Sequence, residues 1–114
     1  MRQITKESIN AFYNDFTFSK SNMIVEYSYG KTNELPSLNN TYLTKLRYHN
    51  NTIAIKSVNK YTGIERLYIT NCGYFTNTTK ERLNALKGVS IVQKNFVWYL
   101  NGIEWNGDLT EIKL

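Results

Sequence analysis

A thiol nucleophile needs a base beside it, and this chain has one cysteine, Cys72, and one histidine, His49. Such pairs meet in space rather than in sequence, but a third group must orient the imidazole. No residue is placed to do so, and Cys72 reads as a small half-buried thiol in the turn beside Gly73. A tetrahedral metal site needs clustered His, Cys or carboxylate ligands, which these two distant residues do not provide. The nine carboxylates are spread without a close pair on a shared apolar surface, so a glycosidase-type dyad has no support. Gly102 and Gly107 belong to turns, not to a phosphate-cradling loop. The chain is expected to bind rather than to catalyse, with no metal and no cofactor.

The remaining chemistry is anion contact. An Asn50-Asn51 turn would set Tyr48 opposite Ile53 and Leu46 opposite Ile55 on one side of a hairpin. The other side would then carry His49 with Thr52, Arg47 with Ala54, and Lys45 with Lys56. Like charges directly opposite each other are unfavourable, so that pair is either splayed into solvent or held by an acidic group or anion. Arg66 and Tyr68, alternating with Glu65, Leu67 and Ile69 in the next strand, would extend the same face. Lys45, Arg47, Lys56, Arg66 and Tyr68 are the candidate binding residues.

The elements that position them follow from periodicity. Thr5 predicts the N-cap of a helix from Lys6 to about Asp15, with Ile9, Phe12, Tyr13 and Phe16 on one stripe. Met23 to Tyr29 alternates as a strand. Gly30 to Thr41, with Pro36 and several Asn and Ser residues, predicts a long mobile loop. Thr78 and Glu81 have the spacing of a capping box for a second helix, which Gly88 closes. Strands are expected over 89–94 and 96–100 about a Lys94-Asn95 turn. Asn101-Gly102 is the strongest hairpin signal; it sets Leu100 opposite Ile103 and Trp98 opposite Trp105, a core pair. The fold class is α+β: a single domain over residues 1–114, an antiparallel sheet of about six strands with two helices packed on one face.

The totals agree with this. A chain of 114 residues, 41% hydrophobic and 14% aromatic, has material for one core. A lone cysteine favours a reducing compartment. No apolar run reaches the roughly 20 residues needed to cross a bilayer, and no secretory apolar segment opens the chain. A cytoplasmic protein without a membrane partner is expected. The net charge of +5 suits an anionic partner.

Two segments carry a resemblance. Ile69-Thr70-Asn71-Cys72-Gly73-Tyr74-Phe75-Thr76-Asn77-Thr78-Thr79-Lys80-Glu81-Arg82-Leu83-Asn84 is followed by Val97-Trp98-Tyr99-Leu100-Asn101-Gly102-Ile103-Glu104-Trp105-Asn106-Gly107. Together with the opening Ile4-Thr5 to Phe12, they resemble a family of small accessory proteins in tailed-phage genomes. That family often has Trp where Tyr74 stands and a shorter connection than Gly30 to Thr41. The resemblance implies a phage or prophage accessory protein. Small phage proteins without enzyme signatures often act by occluding host machinery, CRISPR effectors and other defence complexes included. The expected partner is then a host protein or nucleoprotein complex in the host cytoplasm, the alternative being direct binding of DNA or RNA through the basic face.

Overall fold

In a computed structural model of the chain, the described residues are 2–30, 34–36 and 40–113. The mobility expected of the 30–41 loop falls largely on residues outside that set. The chain forms α1 (Gln3–Tyr13), β1 (Phe18–Lys20), β2 (Met23–Tyr29), β3 (Thr41–Tyr48), β4 (Asn51–Asn59) and β5 (Glu65–Ile69). It continues with α2 (Asn77–Asn84), β6 (Ile91–Lys94), β7 (Val97–Leu100), β8 (Ile103–Glu104) and β9 (Thr110–Ile112).

The strands do not make one sheet. Six form an antiparallel sheet in the order β1-β2-β3-β4-β5-β9, and β6-β7-β8 form a second, three-stranded one. The expectation of one sheet of about six strands is corrected accordingly. Strands β1 and β9 have three residues each, too few for alternation to announce them.

Neither helix begins at its expected cap. Helix α1 starts before Thr5, with Arg2 at its N-cap making no side-chain cap bond. Thr5 is fully buried, and its hydroxyl donates to Glu81 Oε1 at 2.6 Å instead of capping. Helix α2 is capped by Thr76, whose Oγ1 accepts from the Thr79 N–H at 3.1 Å. The expected Thr78–Glu81 box does not form, because Glu81 is engaged by Thr5 and by Arg82.

The hairpin register also differs. The β3–β4 turn is His49-Asn50, with φ of 50° and 63°, the two left-handed residues a tight primed turn requires. A bulge follows: Arg47 pairs with Thr52 and Leu46 with Ala54, leaving Ile53 as the extra residue. Lys45 therefore pairs with Ile55, and Lys56 with Thr44. The bulge buries both Ile53 and Ala54 in the core and turns Lys56 to the opposite face from Lys45. Near the chain's end, the turn between β6 and β7 is Asn95-Phe96, one residue later than expected.

One apolar cluster draws Ile9 and Phe12 from α1, Val25 and Leu46 from the large sheet, Leu83 from α2 and Trp98 from the small sheet. The Asn101-Gly102 hairpin has the expected register: Leu100 pairs with Ile103, the Trp105 N–H donates to the Trp98 carbonyl at 2.9 Å, and the two indoles lie 6.3 Å apart. Both are buried, while Ile103 is exposed. From there Gly107 returns the chain to the large sheet. Its carbonyl accepts from the Asn71 N–H at 3.1 Å and from Thr70 Oγ1 at 2.7 Å. At φ +90° a Cβ on Gly107 would stand 2.1 Å from Asn71 Oδ1, so only glycine fits.

Candidate functional site

Alternation along the strands places Lys45, Arg47, Arg66 and Tyr68 on the sheet face turned away from α1, as expected. Lys56 is not with them. It is 5% exposed on the α1 side, where Nζ donates to the Tyr13 carbonyl at 3.0 Å and pairs with Asp15 at 2.9 Å. Burial pushes the Asp15 carboxyl up, but bonds from Thr44 and Lys56 outweigh it and hold the group below the usual carboxylate range.

The other cations of the expected face are neutralised. Lys45 pairs with Glu34 at 3.1 Å, Arg47 with Glu26 at 3.2 Å and Arg66 with Glu111 at 3.3 Å. The Arg47 and Arg66 pairs are exposed enough to add little stability, whereas the Lys45–Glu34 pair is largely buried; each cancels a charge that an anion would have sought. Beneath them Leu43 and Ile55 are fully buried, and Glu34 brings part of the 30–41 connection onto this face. Among the described residues, the lysines without a carboxylate within ion-pair distance are Lys6, Lys60, Lys80, Lys87 and Lys94.

The face toward α1 has a different character at its two ends. The helix begins where Arg82, bonded to Thr5, lies over Tyr48, and just past its end Asp15 accepts from the Thr44 hydroxyl at 2.6 Å. Beyond that row no described helix covers the sheet. Tyr27 and Tyr42 stack there at 6.1 Å with an 8° interplanar angle, and Tyr29 leans on Tyr42 at 5.0 Å. Lys60 Nζ sits 5.6 Å from the Tyr29 ring and 5.7 Å from that of Tyr61. Tyr27, Tyr29 and Tyr61 are 44%, 49% and 74% exposed. The signal was in the β2 alternation, which changes from Met23 and Val25 to Tyr27 and Tyr29 along one face.

His49 and Cys72 do not form a pair. His49 Nε2 lies 3.4 Å from the Asn22 amide, whereas Cys72 Sγ donates to the Thr52 carbonyl at 3.1 Å. Burial raises the thiol's pKa, against a smaller lowering by Thr70, which disfavours the nucleophilic thiolate. Among the described residues, no group of three or more His, Cys, Asp or Glu is arranged to hold a metal ion. No helix among them is long and apolar enough to cross a membrane.

The arrangement is that of a mixed α/β protein with an exposed aromatic surface at one end of its large sheet. The chain belongs to the Kyanoviridae Gp96 protein family, a phage family whose model matches residues 1–111. No curated protein and no solved structure matches it.

Proposed function

We propose that this phage protein works by binding, occluding a host protein or nucleoprotein complex that attacks nucleic acid, in the manner of an anti-CRISPR protein in the host cytoplasm. The observation that carries this reading is the uncovered tyrosine end of the large sheet. Tyrosine supplies large contact area at low entropic cost and is enriched among the residues that dominate interface energy. Lys60 adds a positive charge beside the rings, without a carboxylate partner among the described residues. Occlusion asks for no nucleophile and no metal. The face of Lys45, Arg47, Arg66 and Tyr68 is the weaker candidate, because each of its cations already has a carboxylate.

The test is capture of a defence complex on the immobilised protein with and without nuclease, followed by inhibition of the purified complex. Retention after nuclease is expected, and Tyr27→Ala/Tyr29→Ala/Tyr61→Ala should abolish both capture and inhibition with little change in Tm. Undiminished inhibition by the triple variant sinks the reading. The alternative, direct binding of DNA or RNA, draws on the lysines that lack ion pairs.

A further inference from the structure

A cleft of about 390 Å³ lies where the β3–β4 turn meets the connection from β5 to α2. This is the end of the large sheet marked by the Met23–Tyr48 pair, whereas Tyr29 pairs with Tyr42 at the other. The volume falls within the roughly 300–1,000 Å³ of clefts that take small molecules. Three rings line it: Tyr48 and His49 from the hairpin, and Tyr74, 53% exposed, from the connection. No carboxylate, lysine or arginine does. His49 Nε2 lies 3.4 Å from the Asn22 amide nitrogen, which can only donate, so the imidazole meets it as a neutral acceptor. The charged groups nearby are already engaged. Arg82, 5.6 Å from the Tyr48 ring, is bonded to Thr5 and Glu81. Arg47 pairs with Glu26, and Lys80 donates to Gln93 at 3.3 Å. Glu34, whose charge reaches Cys72 beside Asn71, pairs with Lys45. The cleft therefore suits a neutral group.

Asn71 lines the same cleft and is fully buried. Its N–H donates to the Gly107 carbonyl at 3.1 Å, its carbonyl accepts from the Tyr74 N–H at 2.9 Å, and its Oδ1 accepts from the Gly73 N–H at 2.8 Å. Its Nδ2 has no hydrogen-bond partner among the described residues. A buried donor left unbonded is costly and uncommon, and the amide N–H groups are what Asn71 has left to offer the cleft. Thr76 and Thr79 line it as well, their hydroxyl oxygens 2.9 Å apart. Whichever of the two donates, the proton of the other is left over. The polar groups still unspent are thus donors, and they call for an acceptor.

From these we infer that the cleft binds the base of a nucleoside, a neutral planar heterocycle whose carbonyl accepts from Asn71 Nδ2 and whose face stacks on Tyr74. Lining rings favour a flat ligand over an aliphatic amide, since a base has a face to stack. The lack of a lining cation favours an unphosphorylated one. The inference draws on neither the exposed tyrosines nor occlusion of a host complex, so it fails separately from them.

The test is titration of uridine, which presents two ring carbonyls, into nitrogen-15-labelled protein, read by NMR at the Asn71 side-chain amide and by calorimetry. Saturable binding with a shift of that amide is expected, and no binding of ribose. Oligouridylate, the same base within a strand, should bind no more tightly per base. Tyr74→Ala changes an exposed ring and should weaken uridine binding by about tenfold. Asn71→Asp keeps an oxygen for the Gly73 N–H but removes the donor, and should weaken it by about tenfold or more. Tyr27→Ala/Tyr29→Ala should leave the affinity unchanged. Failure of uridine to bind overturns the inference, as does binding that leaves the Asn71 amide unmoved; the cleft would then hold water only. Wild-type affinity in Tyr74→Ala also overturns it. Binding of oligouridylate without binding of uridine overturns the choice of a free nucleoside.

Discussion

The large sheet shows the same strands and the same face solving opposite problems at their two ends. At the covered end, Met23, Val25, Leu46 and Ala54 meet Phe12 beneath α1 and are shut off from water. At the open end, the next positions along those strands are Tyr27, Tyr29 and Tyr42, whose rings pack on one another instead of on a helix. An 11-residue helix spans about 16 Å, less than the length of β3 and β4. The difference teaches where stability and recognition are separable: one end cannot be altered without loss of fold, and the other keeps its fold without a lid.

The division makes graded expectations. Phe12→Ala, at the centre of the covered end, should cost about 3–5 kcal/mol through lost burial and the cavity left behind, read as a shift in denaturant midpoint. A cost under 1 kcal/mol would mean that α1 does not seal that end.

Arg82→Ala should come next, at about 3 kcal/mol. Arg82 is fully buried, bonded to Thr5 and Glu81 and lying over Tyr48, so its removal strands their polar groups. The same cluster predicts acid lability. The Thr5 hydroxyl, against some desolvation, and then Arg82 and Arg2 hold Glu81 below the usual carboxylate range, and Asp15 is lowered as well. A depressed folded pKa gives stability that is present above the unfolded value and lost as pH falls through the folded one. Urea midpoints should therefore hold from neutrality to about pH 5 and drop below about pH 4. A flat profile across that range would show that neither carboxylate is tied to the fold.

Thr76→Ala should cost about 1 kcal/mol as the loss of the α2 cap, while Thr78→Ala should cost measurably less; the reverse order in thermal melts would restore the capping box. Smallest of all, Tyr27→Ala/Tyr29→Ala should cost about 1 kcal/mol or less. A larger loss would make the open end a second core and end the contrast.

Much of this architecture was legible in the residues. Phe12 and Ile9 at helical spacing, the β2 alternation and Asn101-Gly102 with its paired indoles all appear where their patterns put them. What was missed shares one cause: a local signal with two acceptable solutions, chosen by a distant partner. Thr5 and Thr78 are good caps in isolation, but Glu81 takes Thr5 and leaves the second cap to Thr76. Asn50 accepts positive φ in a turn starting at either 49 or 50, and only the burial of Ile53 and Ala54 together selects the bulged register that carries Lys56 away from Lys45. Pairing of Lys45, Arg47 and Arg66 with Glu34, Glu26 and Glu111 depends on chain that is remote or across a strand. Lys45, Arg47, Arg66 and Tyr68 thus share one sheet face without Lys56, and the charges on that face are cancelled by partners that spacing does not reveal.

The pairing of β5 with β9 joins strands that are far apart in sequence. Leu67 pairs with Ile112, with α2 and the whole small sheet lying between them in the chain, so residues 70–109 are an excursion threaded between two neighbouring strands. The bond from the Asn71 N–H to the Gly107 carbonyl closes that excursion at its base, so that losing it would loosen the whole segment at once. Without β9 as its clasp, β5 would be the sheet's edge, with its N–H and C=O groups open to a second strand.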